Sequence, residues 1–109
     1  MLKLEMYQIR SELRIGKGIK LYKLEDITEK GFKILLFLLK VKGAKIKDFY
    51  DKLHLGRETV YRCLRYLDKY GLIDEKRRGN VRFIFLTEKG RRVALLLKEI
   101  EEILESKET

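Results

Sequence analysis

Apolar residues recur along this chain with two different periods, and the changes of period mark out its elements. Leu2, Met6, Ile9 and Leu13 fall at spacings of four, three and four, which is one face of a helix. Gly16-Lys17-Gly18 then supplies a turn, and Ile15 and Ile19 on either side of it would equally suit a hairpin. The helix is favoured over residues 2–14, and residues 19–25 read as extended or irregular. Thr28 has the chemistry of an N-cap, with Glu29 behind it where the helix dipole favours an acid. Phe32, Ile34, Leu35, Leu36, Phe37, Leu38 and Leu39 follow, apolar on nearly every side. Such a helix belongs at the centre of a domain. It is expected to run to about Val41 and to end at Gly43.

A second, short helix is expected over residues 45–53. It turns Ile46, Phe49, Tyr50 and Leu53 inward, and its lysines and aspartates outward. His54-Leu55-Gly56 is a three-residue turn. A third helix follows from Arg57 to Tyr70, with Val60, Leu64 and Leu67 on one face, Cys63 beside them, and Gly71 as the C′ residue. The period then falls to two. Residues 72–76 and 81–86 read as strands around a tip containing Gly79 and Asn80, residues that tolerate positive φ. Thr87 caps a last helix of about eighteen residues, with apolar positions at Val93, Leu96, Leu97, Ile100, Ile103 and Leu104.

The predicted fold is therefore mainly α with a small β-hairpin, as one domain over residues 1–109. Residues 1–24 form an extension, 28–86 the core and 87–106 a C-terminal helix. A chain of 109 residues with 45% apolar and 39% charged residues can bury a core without staples. No apolar run is long enough to span a bilayer, and the N-terminus lacks a signal-peptide pattern, so a cytoplasmic location is expected. Cys63 and His54 are each the single residue of their type, which leaves no disulfide framework and makes a metal centre unexpected. No cofactor is expected either. One Gln, one Asn and abundant Lys, Arg and Glu match proteins from hot environments.

Charge changes the picture more than size does. The formal net charge is +9. Residues 1–43 hold ten cations against five acids, residues 44–86 eleven against six, and residues 87–109 five against six. The positive field thus covers the first four-fifths of the chain, as a polyanion-binding body would have it.

Three short stretches sharpen this. The apolar pattern of the helix pair encloses the turn Leu55-Gly56 and the cap region Arg57-Glu58-Thr59-Val60. Leu67-Asp68-Lys69-Tyr70-Gly71-Leu72-Ile73 is similar to an L-x-x-x-G-L-I closure. Leu86-Thr87-Glu88-Lys89-Gly90-Arg91 is similar to an L-T-x-x-G motif. In this order and at these spacings, residues 28–95 resemble winged helix-turn-helix transcription regulators of the MarR, ArsR and PadR type. The Asp-x-Arg pair that MarR-type wings often carry is absent.

The resemblance implies a double-stranded DNA partner, with the third helix in the major groove and the hairpin as a wing. With Val60, Leu64 and Leu67 inward, that helix offers Arg57, Glu58, Thr59, Tyr61, Arg62 and Arg65. Arg62 is the foremost candidate for guanine, because a guanidinium bridges O6 and N7. Thr59 and Glu58 are weaker base candidates, and Arg57, Tyr61 and Arg65 suit phosphates. Arg77, Arg78, Asn80 and Arg82 suit a minor groove or adjacent phosphates, although edge-strand charge that blocks aggregation accounts for them as well.

The stripe Val93, Leu96, Leu97, Ile100, Ile103 and Leu104 suits a homodimer seam better than docking on its own domain alone. Helix 2–14 is a candidate for the same interface. Catalysis is not expected, since no nucleophile–base pair or paired acids come together. The function implied is a sequence-specific regulator, a repressor that occupies its operator as a homodimer. The alternatives are an architectural DNA-binding protein and a protein-interaction winged helix.

Overall fold

The computed structural model describes residues 21–107. The expected helix at 2–14 and its place in an interface lie outside the described residues. Helix α1 spans Leu24–Val41. Just ahead of it the chain folds back on the first turn, where the Glu25 carboxylate accepts the backbone N–H groups of Leu21 and Tyr22 at 2.7 and 2.8 Å. The helix begins four residues before Thr28, within a segment expected to be irregular. Thr28 still interrupts it, with φ 64° and ψ 171°. A β-branched residue with positive φ is strained. At the far end Lys42, not Gly43, takes the left-handed position, and its N–H reaches the Leu38 carbonyl at 2.9 Å.

Ala44–Lys45 form strand β1, and Ile46–Asp51 form helix α2. The Asp48 carboxylate accepts the Lys45 N–H at 3.0 Å and fixes the start of that helix. In the turn, His54 adopts φ 55° and Leu55 drops into the core. Helix α3 spans Arg57–Lys69. Its end is a Schellman motif: Leu72 N–H bonds to Leu67 O and Gly71 N–H to Asp68 O, both at 2.9 Å, with Gly71 at φ 72°.

Strands β2 (Ile73–Arg78) and β3 (Val81–Leu86) pair antiparallel out to Arg78 opposite Val81. Two residues remain for the turn, with Gly79 at φ 60°, where a type II′ hairpin needs glycine. The sheet has three strands in the order β1-β3-β2, because Ala44 pairs with Ile84 and Lys45 with Phe83. The sequence pattern indicated the hairpin but not this third strand.

Helix α4 spans Glu88–Glu105. Its cap is Thr87, as expected: the hydroxyl accepts the Gly90 N–H at 3.0 Å and donates to the Gly71 carbonyl at 2.6 Å. One side chain thus joins the end of α3 to the start of α4. The Tyr70 hydroxyl, donating to the Asp26 carboxylate, ties α3 to α1 in the same way.

The core lies where these helices meet the sheet. Ile34, Leu35 and Leu38 of α1 pack with Phe49 of α2, Val60 and Leu67 of α3 and Ile84 of β3, all fully buried. Each contributes about 1.5–3 kcal/mol by leaving water. Phe37 meets Phe49 edge to face, with ring centres 6.0 Å apart. No polar side chain is buried among the described residues. No helix among them is long and apolar enough to cross a membrane.

Candidate nucleic-acid interface

Helix α3 has two faces, and the sequence decides which is which. Val60, Cys63, Leu64 and Leu67 are buried. At 100° per residue, Glu58, Arg62, Arg65 and Lys69 then stand farthest from the core. Arg57, Glu58, Tyr61, Arg62 and Arg65 line one shallow hollow on the surface. Five of the six side chains expected on this helix are therefore brought together. Thr59 is the exception: it is half-buried on the flank turned away from the hairpin. The Arg57 guanidinium lies over the Tyr61 ring, 6.0 Å from its centre, one helical turn along.

The hairpin divides its charges between two faces, because side chains alternate along a strand. Glu75, Arg77 and Arg82 share a face with Ile73 and Ile84, which pack towards α3. Asp74, Lys76 and Arg78 lie on the other, with Val81, Phe83 and Phe85. Arg78 and Asn80 are exposed at the tip.

Arg82 is held differently from its neighbours. Its Nε and Nη2 donate to the two carboxylate oxygens of Glu75 at 2.9 and 2.7 Å, a bidentate pair with side chains 31% and 33% exposed. Arg77 approaches the same carboxylate more loosely, at 3.4 Å. The hydrogen bonds from Arg82 hold the Glu75 carboxyl below its ordinary pKa, and Glu75 in turn raises that of Arg82. Burial first, and the neighbouring Tyr61 phenol second, push the Tyr50 phenol up. The bidentate pair thus ties β2 to β3 across the wing.

No protein-family model matches the sequence. No curated protein matches it significantly. Solved structures do match in three dimensions. ZitR of Lactococcus lactis aligns with a TM-score of 0.66 at 22% identity, covering 95% of this chain and 75% of that one. AF1382 of Archaeoglobus fulgidus aligns at 0.66 and 23% identity, covering 72% and 91%. A transcriptional regulator homologue of Pyrococcus horikoshii aligns at 0.58 and 18%, covering 77% and 98%. The fold is a winged helix-turn-helix.

In this fold α3 is the second helix of the helix-turn-helix, and the β2–β3 hairpin is the wing. Two exposed cations on these elements were missed by the sequence reading. Lys69 continues the outer face of α3 four residues beyond Arg65, a spacing that could have revealed it. Its ammonium lies 5.8 and 5.6 Å from the Tyr66 and Tyr70 ring centres. Lys76 joins Arg78 on the far face of the wing.

Cys63 lies on the buried face of α3, and burial pushes its thiol pKa up against the opposing effects of Thr28, Arg62 and Lys30. No cluster of three metal-ligating side chains occurs among the described residues.

The residues expected to form a seam on α4 divide between half-buried and exposed positions. Gly90 and Ala94 are buried against the domain, and Val93 and Leu97 are half-buried beside them. Leu96, Ile100, Ile103 and Leu104 remain 59%, 52%, 66% and 74% exposed.

Proposed function

We propose that this chain is a sequence-specific regulator of transcription that binds double-stranded DNA as a homodimer and represses by occupying its operator. The observation that carries the reading is the outer face of α3. Arg57, Tyr61, Arg62 and Arg65 surround one hollow on the helix that this fold turns outward. An α-helix fits the major groove, where base edges differ from pair to pair. Arg62 reads guanine, with Glu58 and Thr59 as secondary base contacts. Arg57, Tyr61, Arg65 and Lys69 position the helix on phosphates. Arg77, Arg78 and Asn80 at the wing reach the adjacent minor groove or phosphates. Arg82 reaches them only by leaving Glu75.

The dimer is supported by the exposed apolar residues of α4, a patch of a kind that a monomer rarely shows to water. Two copies would present recognition helices to half-sites about 34 Å apart. Such a protein works in the cytoplasm, beside the genome it reads. The Pyrococcus horikoshii neighbour, described as a transcriptional regulator homologue, is consistent with this role.

Selection from a random duplex pool, followed by salt titration of the winners, tests the reading. Enrichment of a motif with inverted half-sites is the expected result. Tight, steeply salt-dependent binding without a motif would replace the regulator with an architectural protein. No binding at low salt would leave a protein-interaction module.

A further inference from the structure

The three-stranded sheet has a second face, from which duplex binding draws only Arg78. Ala44, Ile73 and Ile84 are buried on the side of the core. Phe83 and Phe85 alternate with Ile84 and so stand on the opposite side, away from α3. Both are half-buried, and Val81 beside them is exposed. Phe83 has a lysine as its partner on either neighbouring strand, Lys45 of β1 and Lys76 of β2. The two phenylalanines share a hollow of about 420 Å³ with Lys42, Lys76 and Arg78. Among the described residues, no ion pair holds Lys42, Lys45, Lys76 or Arg78. Asp74, opposite Phe85, is the one acid on this face of the strands, and its carboxylate accepts the Glu75 N–H at 2.8 Å.

Cations alone would suit any polyanion, but the rings narrow the choice. A duplex turns the faces of its bases inward and offers only phosphates and groove edges, so it leaves two phenylalanines uncovered. An unpaired strand supplies both complements, base faces for the rings and phosphates for the cations. The spacing agrees. Residues two apart on a strand lie about 6.8 Å from each other, twice the roughly 3.4 Å that separates successive nucleotides of one duplex strand. Each ring therefore receives its own base only when neighbouring bases are drawn apart, as a flexible single strand allows.

We infer that the outer face of the wing sheet binds single-stranded DNA, with successive bases stacked on Phe83 and Phe85 and phosphates along Lys42, Lys45 and Lys76. The site shares no side chain of α3 and stands without the duplex reading. Only the choice of DNA over RNA rests on that reading, because a strand opened beside a duplex on α3 is DNA.

Fluorescence anisotropy with a labelled short oligothymidylate tests the site, beside an abasic phosphodiester of equal length and charge. Oligothymidylate is expected to bind roughly tenfold tighter or better, because stacking adds to the attraction of the phosphates. Equal affinity for the two would overturn the inference in favour of a general polyanion surface. No binding of either at low salt would overturn it as well. An oligouridylate that binds far more tightly than oligothymidylate would overturn the assignment to DNA.

Phe83→Leu and Phe85→Leu keep an apolar side chain and remove the ring. Each is expected to weaken oligothymidylate binding by roughly tenfold and to leave the abasic strand and the selected duplex bound as before. Unchanged oligothymidylate affinity in both variants would overturn the site. Lys45→Gln with Lys76→Gln changes only exposed side chains and tests it without touching the rings. It is expected to lower the slope of log K against log salt by about 1.4, or about 0.7 for each contact to a single strand; an unchanged slope would overturn the inference. A protein that passes these tests and binds no duplex keeps its single-strand site and loses the regulator reading, while one that binds its operator and no oligothymidylate loses this site alone.

Discussion

Gly90 lies so close to Leu72 that a Cβ on the glycine would stand 1.8 Å from the Leu72 carbonyl oxygen. That oxygen already accepts the Thr87 N–H at 3.0 Å. The first turn of α4 therefore rests directly on the backbone that leaves α3, and only a residue without a side chain allows it. Gly90→Ala must push backbone, which yields far less than a side chain. The expected loss is about 3 kcal/mol, the upper end of what overpacking costs, read as a lower urea midpoint with an unchanged slope. A variant as stable as the parent would show that α4 can shift away freely.

Thr87 secures the same junction by hydrogen bonding. Thr87→Val keeps the shape and removes both the donor to Gly71 and the acceptor for Gly90. It is expected to cost about 1–2 kcal/mol, while Thr87→Ser retains most of the stability. Equal melting temperatures for the two variants would assign the effect to packing, not to the hydroxyl.

These two positions explain why the motif residues were legible. Leu-Thr-x-x-Gly is the local chemistry of a cap and a close approach, and Gly71 is the residue that closes a Schellman motif. Each demand is met by residues adjacent in sequence, so the sequence carries it openly. The features that escaped depend on distant partners. Strand β1 has two residues, too few to show a period, and exists because β3 offers an edge to Ala44 and Lys45. Thr28 has the composition of a cap, and nothing local indicates that α1 would begin before it and break there. Lys42 takes the left-handed turn expected at Gly43, one residue earlier than composition suggests.

The site follows the same division. The outward face of α3 follows from the spacing of Val60, Leu64 and Leu67. The capture of Arg82 by Glu75 does not, since it needs the register that sets Arg77 opposite Arg82 and Glu75 opposite Ile84.

That pair gives the fold a pH dependence. Arg82 holds the folded-state pKa of Glu75 below its ordinary value of 4.5. The pair is thus fully stabilising above the unfolded-state pKa, and its contribution disappears as pH falls through the folded value. Both side chains are about a third exposed, so solvent screening keeps the contribution to about 0.5 kcal/mol. Glu75→Gln is expected to lower stability by that amount at pH 7, and the gap is expected to close as pH falls below the folded-state pKa of Glu75. Urea unfolding of both proteins across this range checks it. A gap that does not change with pH would mean that Glu75 acts through packing.

Arg62 stands on the outer face of α3 beside Arg65 and Glu58. As a guanine contact it carries sequence information. Arg62→Ala is expected to cost about 1–3 kcal/mol at the selected site and to relax the preference at one position of each half-site. Competition between the selected duplex and single-base variants measures this. A uniform loss across all duplexes would move Arg62 to the phosphate contacts.

Arg78 and Arg82 separate a free cation from a held one. Both were expected at the wing, and both carry one charge. Arg78 is exposed at the tip with no ion pair among the described residues, while Arg82 makes two charge-assisted hydrogen bonds to Glu75. A phosphate contact releases counterions in proportion to the charge it neutralises, so losing one contact lowers the slope of log K against log salt by about 0.9. Arg78→Ala should show that full decrement and weaken binding to all sequences alike. Arg82→Ala removes a cation already neutralised by Glu75 and should leave the slope nearly unchanged. It should still lower affinity, because the bidentate link to Glu75 that ties β2 to β3 is lost from the wing. If Arg82→Ala lowers the slope as much as Arg78→Ala does, Arg82 exchanges Glu75 for a phosphate on binding. Glu75→Gln should then raise affinity, because it frees Arg82 in advance.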